Sequence, residues 1–216
     1  MFRRLWTKLL FLDLAFNAER GRTMMTTLEL RSTLSEITNN NIQQVTTWMS
    51  KLSEKQLDWR PNPGIWSISE VLAHLNSYAR YYHPAFQKKI ESTRFRNAKE
   101  DFLSSPLGRS AWKSMKLGRA NNVKRKFKAP KTHNPSIDLE LIQGTELKDF
   151  LSQQQELLQI IESSAEVNAR KVKIPISISK IVRLRLGDAL LFIAYHNERH
   201  MQQIINLKKH KNFPNK

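Results

Sequence analysis

The sequence predicts an all-α protein, a four-helix bundle with one long basic crossover connection. Three observations predict it. Four stretches carry apolar residues at spacings of three and four, the signature of helices with one buried stripe. Two of those stretches open on a capping box. Between the second and third, Asp101 to Ser136 shows no sustained period and is broken by Pro106, Pro130, Pro135, Gly108 and Gly118.

The first helix is expected to begin at Thr26, because Thr26-Thr27-Leu28-Glu29 lets a hydroxyl cap the Glu29 amide while the carboxylate reaches back. Leu30, Leu34, Ile37, Asn41, Val45, Trp48 and Leu52 form its stripe, and the helix is expected to end within Lys51–Lys55, before Arg60-Pro61-Asn62-Pro63-Gly64. The second opens on Ser67-Ile68-Ser69-Glu70. Its inward face reads Val71, His74, Leu75, Tyr78 and Tyr82, and His83-Pro84 is expected to kink or close it. A short helix is expected around Trp112 within the connection. The third helix starts near Thr145 and runs through Leu147, Phe150, Leu151, Leu157, Leu158 and Ile161. Lys171 to Ile176 reads as extended, given its proline and β-branched residues. The fourth begins at Gly187-Asp188, with Asp188 as the expected N-cap, and its stripe is Ala189, Ile193, His196, His200, Gln203, Ile204 and Leu207. Lys208, Lys209 and His210 suit the negative end of its dipole.

With 216 residues, 40% of them apolar, the chain can build one domain, expected over 24–210, with an extension at 1–23 and a basic tail at 211–216. The extension imitates a signal peptide, but Asp13 interrupts its apolar run and no clean cleavage site follows, so a cytoplasmic protein is expected. No apolar run is long enough for a transmembrane helix. Cysteine is absent, which excludes disulfides, thiolate ligands, Fe–S clusters and a cysteine nucleophile. The net charge is +17, and Lys88 to Lys131 alone holds fourteen Lys or Arg against Glu91, Glu100 and Asp101. Such a stretch can attract nucleic acid or another anionic partner. A solvated basic loop explains it better, since no nucleic-acid-binding motif accompanies it.

The chemistry is carried by histidines that occupy positions meant for apolar side chains. His196 and His200 stand four apart, so both rings project from one helix face about 6 Å apart. His74 sits in an inward stripe on another helix. Each alone reads as a hydrogen-bonded core histidine; together they can hold one divalent ion, leaving it an open position for water or substrate. The stretch His196-Asn197-Glu198-Arg199-His200 is not a metalloprotease motif, because its glutamate lies about 200° around the helix from His196. Glu70 is one turn before His74 and reads as a cap before it reads as a base. Gln203, one turn beyond His200, is a candidate to support the metal ligands or simply a bundle-interior hydrogen bond.

The stretch Leu57 to Leu75, with its proline-rich turn, Trp66-Ser67 helix start and His74, resembles the first signature of DinB-like (YfiT-like) proteins. Gly187-Asp188-Ala189-Leu190 through His196-Asn197-Glu198-Arg199-His200-Met201-Gln202-Gln203 resembles the second. The resemblance covers about residues 26–208. It implies an up-down-down-up bundle, a homodimer, and a zinc, nickel or similar ion on His74, His196 and His200. It further implies a small-molecule substrate and the activity of a hydrolase or of a transferase using a low-molecular-weight thiol. The catalytic group would be water or thiol at the ion. The basic connection departs from the family pattern. Two other readings stand beside this one: a metal-binding stress-response module without turnover, and a nucleic-acid binder working through residues 88–131.

Overall fold

A computed structural model of the chain describes residues 24–123 and 127–215. The extension at 1–23 and the lysine run at 124–126 lie outside the described residues. Four long helices form the body: α1 (Thr27–Thr47), α3 (Ile68–Ser92), α5 (Glu146–Ser163) and α6 (Leu186–Lys208). Short helices α2 (Glu54–Leu57) and α4 (Pro106–Met115) lie in the connections. Strand β1 (Met24–Thr26) pairs antiparallel with β2 (Asp101–Leu103), and β3 (Lys173–Ile176) pairs antiparallel with β4 (Ser179–Arg185). Both α1 and α3 pack on α5 and on α6, so α1 and α3 stand diagonally, while α4 lies along α6.

Both capping boxes form. The Thr26 hydroxyl accepts from the Glu29 amide and Ser67 does the same for Glu70, while each glutamate carboxylate accepts from its cap's backbone N–H. The second box sets the phase of α3, which puts His74 two turns in and facing the bundle.

Four elements depart from the sequence-based expectation. Helix α1 ends at Thr47 rather than near Lys51, because Trp48 leaves the helical region and Met49–Lys51 tightens into a 3-10 turn before the Ser53-capped α2. Spacings of three persist through such a turn, so the apolar pattern does not mark it. Of the two outcomes expected at His83-Pro84, a kink or a close, closure does not occur: α3 continues to Ser92 with Pro84 inside it. Proline inside a helix costs roughly 3 kcal/mol; full burial of Phe86 and Ile90 beyond it returns about 1.5–3 kcal/mol each. Strand β4 is an addition, supplying the partner that the extended segment at 173–176 requires.

The fourth departure concerns Asp188. It is not the N-cap of α6; Arg185 holds that place and has no side-chain capping bond. Asp188 is buried in the first turn. Its Oδ2 accepts from the Ser105 backbone N–H at 3.0 Å and from the Ser105 hydroxyl at 2.8 Å, which ties α6 to the start of α4. Burial pushes its carboxyl up from the ordinary value, against the hydrogen bonds from Ser104 and Ser105. Gly108 makes this approach possible, since a Cβ there would lie 2.0 Å from Asp188 Oδ2.

The apolar core is split in two. One cluster gathers Leu30, Leu34, Tyr82, Phe86, Phe102, Trp112, Leu157 and Ile193. The other gathers Val45, Met49, Ile68, Leu72, Phe150, Met201, Ile204 and Leu207, with Phe213 folded back onto it. Between them runs a layer of buried polar side chains to which every long helix contributes: Thr38 and Asn41 from α1, His74, Asn76 and Ser77 from α3, Gln154 from α5, and His196 and Asn197 from α6. On one side of the layer the amides satisfy one another. Gln154 Oε1 accepts from Asn41 Nδ2 at 3.1 Å and from Asn197 Nδ2 at 3.5 Å. The other side is the histidine cluster.

Candidate metal centre

His74 on α3 and His196 and His200 on α6 converge inside this polar layer. Their ring centroids lie 5.1, 4.7 and 4.7 Å apart for the pairs His74–His196, His74–His200 and His196–His200. One ring nitrogen from each lies within 4.8 Å of the other two. The Nε2 atoms of His74 and His196 stand 3.2 Å apart. Two nitrogens bound to one tetrahedral ion at roughly 2.0–2.1 Å are held about 3.3–3.4 Å apart, so the spacing suits shared coordination. Among the described residues the group consists of imidazoles alone, with no carboxylate.

The hydrogen bonds around the rings point their lone pairs inward. His74 Nδ1 donates to the backbone carbonyl of His133, which leaves Nε2 unprotonated and facing His196. His200 Nδ1 donates to Gln203 Oε1 at 3.0 Å, which likewise frees Nε2. Buried His196 Nδ1 has no partner. With Nε2 of His74 and of His200 both unprotonated, His196 can donate to one of them at most, and a divalent cation satisfies the inward nitrogen of each ring at once. The residues present therefore fit a metal ion.

Burial keeps the rings neutral, the form that binds metal. It pulls His74 and His196 well below the usual histidine range, helped by the neighbouring His200, and brings His200 down to about 4 against the opposing Gln203 bond. Aromatic rings enclose the group. Trp66 lies 5.0 Å from His74 and stacks on His200 at 6.4 Å, while Tyr78 is 4.4 Å and Phe192 5.8 Å from His196.

Glu70 is occupied elsewhere, capping α3 and pairing with Arg60 at 3.2 Å. Glu198, which burial shifts upward, interacts with Lys116 and Glu36 instead of the cluster. His133 is the residue beside the cluster that sequence reasoning missed. It lies in the aperiodic connection between Pro130 and Pro135, yet it is buried, with its ring 4.1 Å from Tyr78. Burial brings it down to about 4, with Arg80 adding to the effect.

A helical bundle with three inward imidazoles on two helices defines the class, and the DinB superfamily profile matches residues 38–204, so the chain belongs to that superfamily. The uncharacterized protein YuaE of Bacillus subtilis (strain 168) is 28% identical over 172 residues, which span 78% of this chain and 94% of that protein. No solved structure matches. No helix among the described residues is long and apolar enough to cross a membrane.

Proposed function

We propose that the protein is a metal-dependent enzyme of the DinB superfamily in which His74, His196 and His200 hold one divalent ion, zinc, nickel or similar, with a position left for a small molecule. The observation that carries this reading is the convergence of three neutral imidazoles, two buried and one half-buried, within 4.8 Å. A bound ion would supply Lewis acidity, holding water or a low-molecular-weight thiol in its reactive deprotonated form near neutral pH.

The chain's own residues set the conditions for that chemistry. Gln203 fixes the ring of His200 and the His133 carbonyl fixes that of His74, so neither ring rotates its lone pair away. Trp66, Tyr78 and Phe192 keep bulk water from the rings and give an apolar substrate a surface to rest on. No carboxylate stands among the grouped ligands to act as base. The proton shed by an ion-held water or thiol would therefore pass to solvent at the half-buried His200 side rather than to a fixed base, which is compatible with a hydrolase or a thiol S-transferase. The same reading carries a homodimer, checked by light scattering.

The decisive assay loads the chain with zinc or nickel and incubates it with cytosolic thiols and a panel of alkyl and acyl electrophiles. Metal-dependent consumption of thiol or hydrolysis of ester is the expected result. One tightly bound ion with no turnover of any electrophile would favour a metal-binding module instead.

A further inference from the structure

We propose that His133 is a positioning residue for the metal centre, holding His74 in place through a closed ring of hydrogen bonds. This rests on the reading that the three imidazoles bind an ion. His74 Nδ1 donates to the His133 backbone carbonyl. The Ser77 hydroxyl donates to the His74 carbonyl at 2.7 Å, so its oxygen is left to accept from His133 Nδ1 at 2.9 Å. The circuit thus runs from the His74 ring to the His133 backbone, from the His133 ring to Ser77, and from Ser77 back to His74. Every member is buried.

The arrangement matters because the carbonyl that fixes His74 belongs to a three-residue 3-10 turn, Lys131–His133, rather than to one of the long helices. A carbonyl on such a segment is placed only as well as its side chains are anchored. Two anchors flank it. The His133 ring lies against Tyr78 and bonds Ser77, and three residues later the Ser136 hydroxyl accepts from Trp66 Nε1 at 2.8 Å, while the Trp66 ring covers His74. The long crossover is thereby stitched both to the middle of α3 and to Trp66, which precedes its N-cap. Its local role is to fix one ligand's tautomer and angle, which in metal sites typically governs affinity by 10–100-fold.

The test is zinc affinity, measured on the full chain by competition with a chromophoric chelator, with the far-UV spectrum recorded to confirm folding. His133→Ala and Ser77→Ala each cut the circuit and are expected to weaken zinc binding about 10–100-fold. The double variant should be no weaker than the weaker single one, since both changes break one path. His133→Asn places an amide donor where Nδ1 stood and should recover most of the affinity, which a purely structural role would not produce. The proposal is overturned if the wild type binds zinc tightly and both single variants stay within about twofold of it, or if Asn fails to restore what Ala loses. A wild type that binds no zinc overturns the metal reading itself, and this proposal with it.

Discussion

Replacing His196 with alanine is expected to abolish metal binding. Wild-type protein purified without a chelating tag should carry about one divalent ion per chain, and His196→Ala should carry almost none. His196 Nε2 sits 3.2 Å from His74 Nε2, with His200 beyond, so its loss leaves two ligands that no longer enclose the ion. Stability should follow. An ion present at a hundred times its dissociation constant adds about 2.7 kcal/mol, which corresponds to roughly 5–10 °C in melting temperature for a domain of this size. The wild type should lose that increment on chelation, and the variant should have none to lose. Glu198→Ala serves as the control, because Glu198 interacts with Lys116 and Glu36, away from the cluster. Trace-metal analysis and melting with and without chelator check each point. Equal metal content in the two variants would remove the assignment.

The second large effect is acid lability. Five histidines are held below their ordinary value with burial as the main cause: His74 and His196 well below it, His133 and His200 at about 4, and His83 lowered despite its bond to Glu156. Above pH 6.5 these rings are neutral whether the chain is folded or not, and they impose no penalty. Below it the unfolded chain takes up protons that the folded chain refuses, so stability declines as pH falls. Each such group contributes a slope of about 1.4 kcal/mol per pH unit until its folded pKa is reached. For His133 and His200 that window runs from 6.5 down to about 4. Acting together, several such groups can consume a typical total stability of 5–15 kcal/mol within it. A bound ion leaves the sign unchanged, since protons compete with it for the same nitrogens. Denaturant midpoints measured between pH 7.5 and 4.5 should fall steadily below 6.5; flat midpoints across that range would contradict the burial of neutral rings.

Much of the bundle and the three imidazoles could be read from the sequence, because both rest on local periodicity. Histidine in an apolar stripe is visible without any tertiary information: His74 follows Val71, and His196 follows Ile193, each at helical spacing. The capping boxes at Thr26 and Ser67 mark their helix starts for the same reason. What periodicity could not reveal depends on distant partners. Asp188 looks like a cap until Ser105, 83 residues away in sequence, claims its carboxylate. Pro84 looks like a stop until the burial of Phe86 and Ile90 carries the helix past it. Gln154 falls in the gap between Leu151 and Leu157, with nothing nearby to show that Asn41 and Asn197 await it. His133 is the extreme case. Its segment has no period, and its role arises from contacts to Ser77 and to the ring of His74, 59 residues before it.

The most direct measurement is X-ray absorption at the metal edge of zinc- or nickel-loaded protein. The account predicts three imidazole nitrogens at about 2.0–2.1 Å together with at least one exchangeable light-atom ligand, and a pattern reduced to two imidazoles in His74→Ala. A spectrum with one imidazole or none, unchanged by that substitution, would mean that the ion sits somewhere other than the meeting point of α3 and α6.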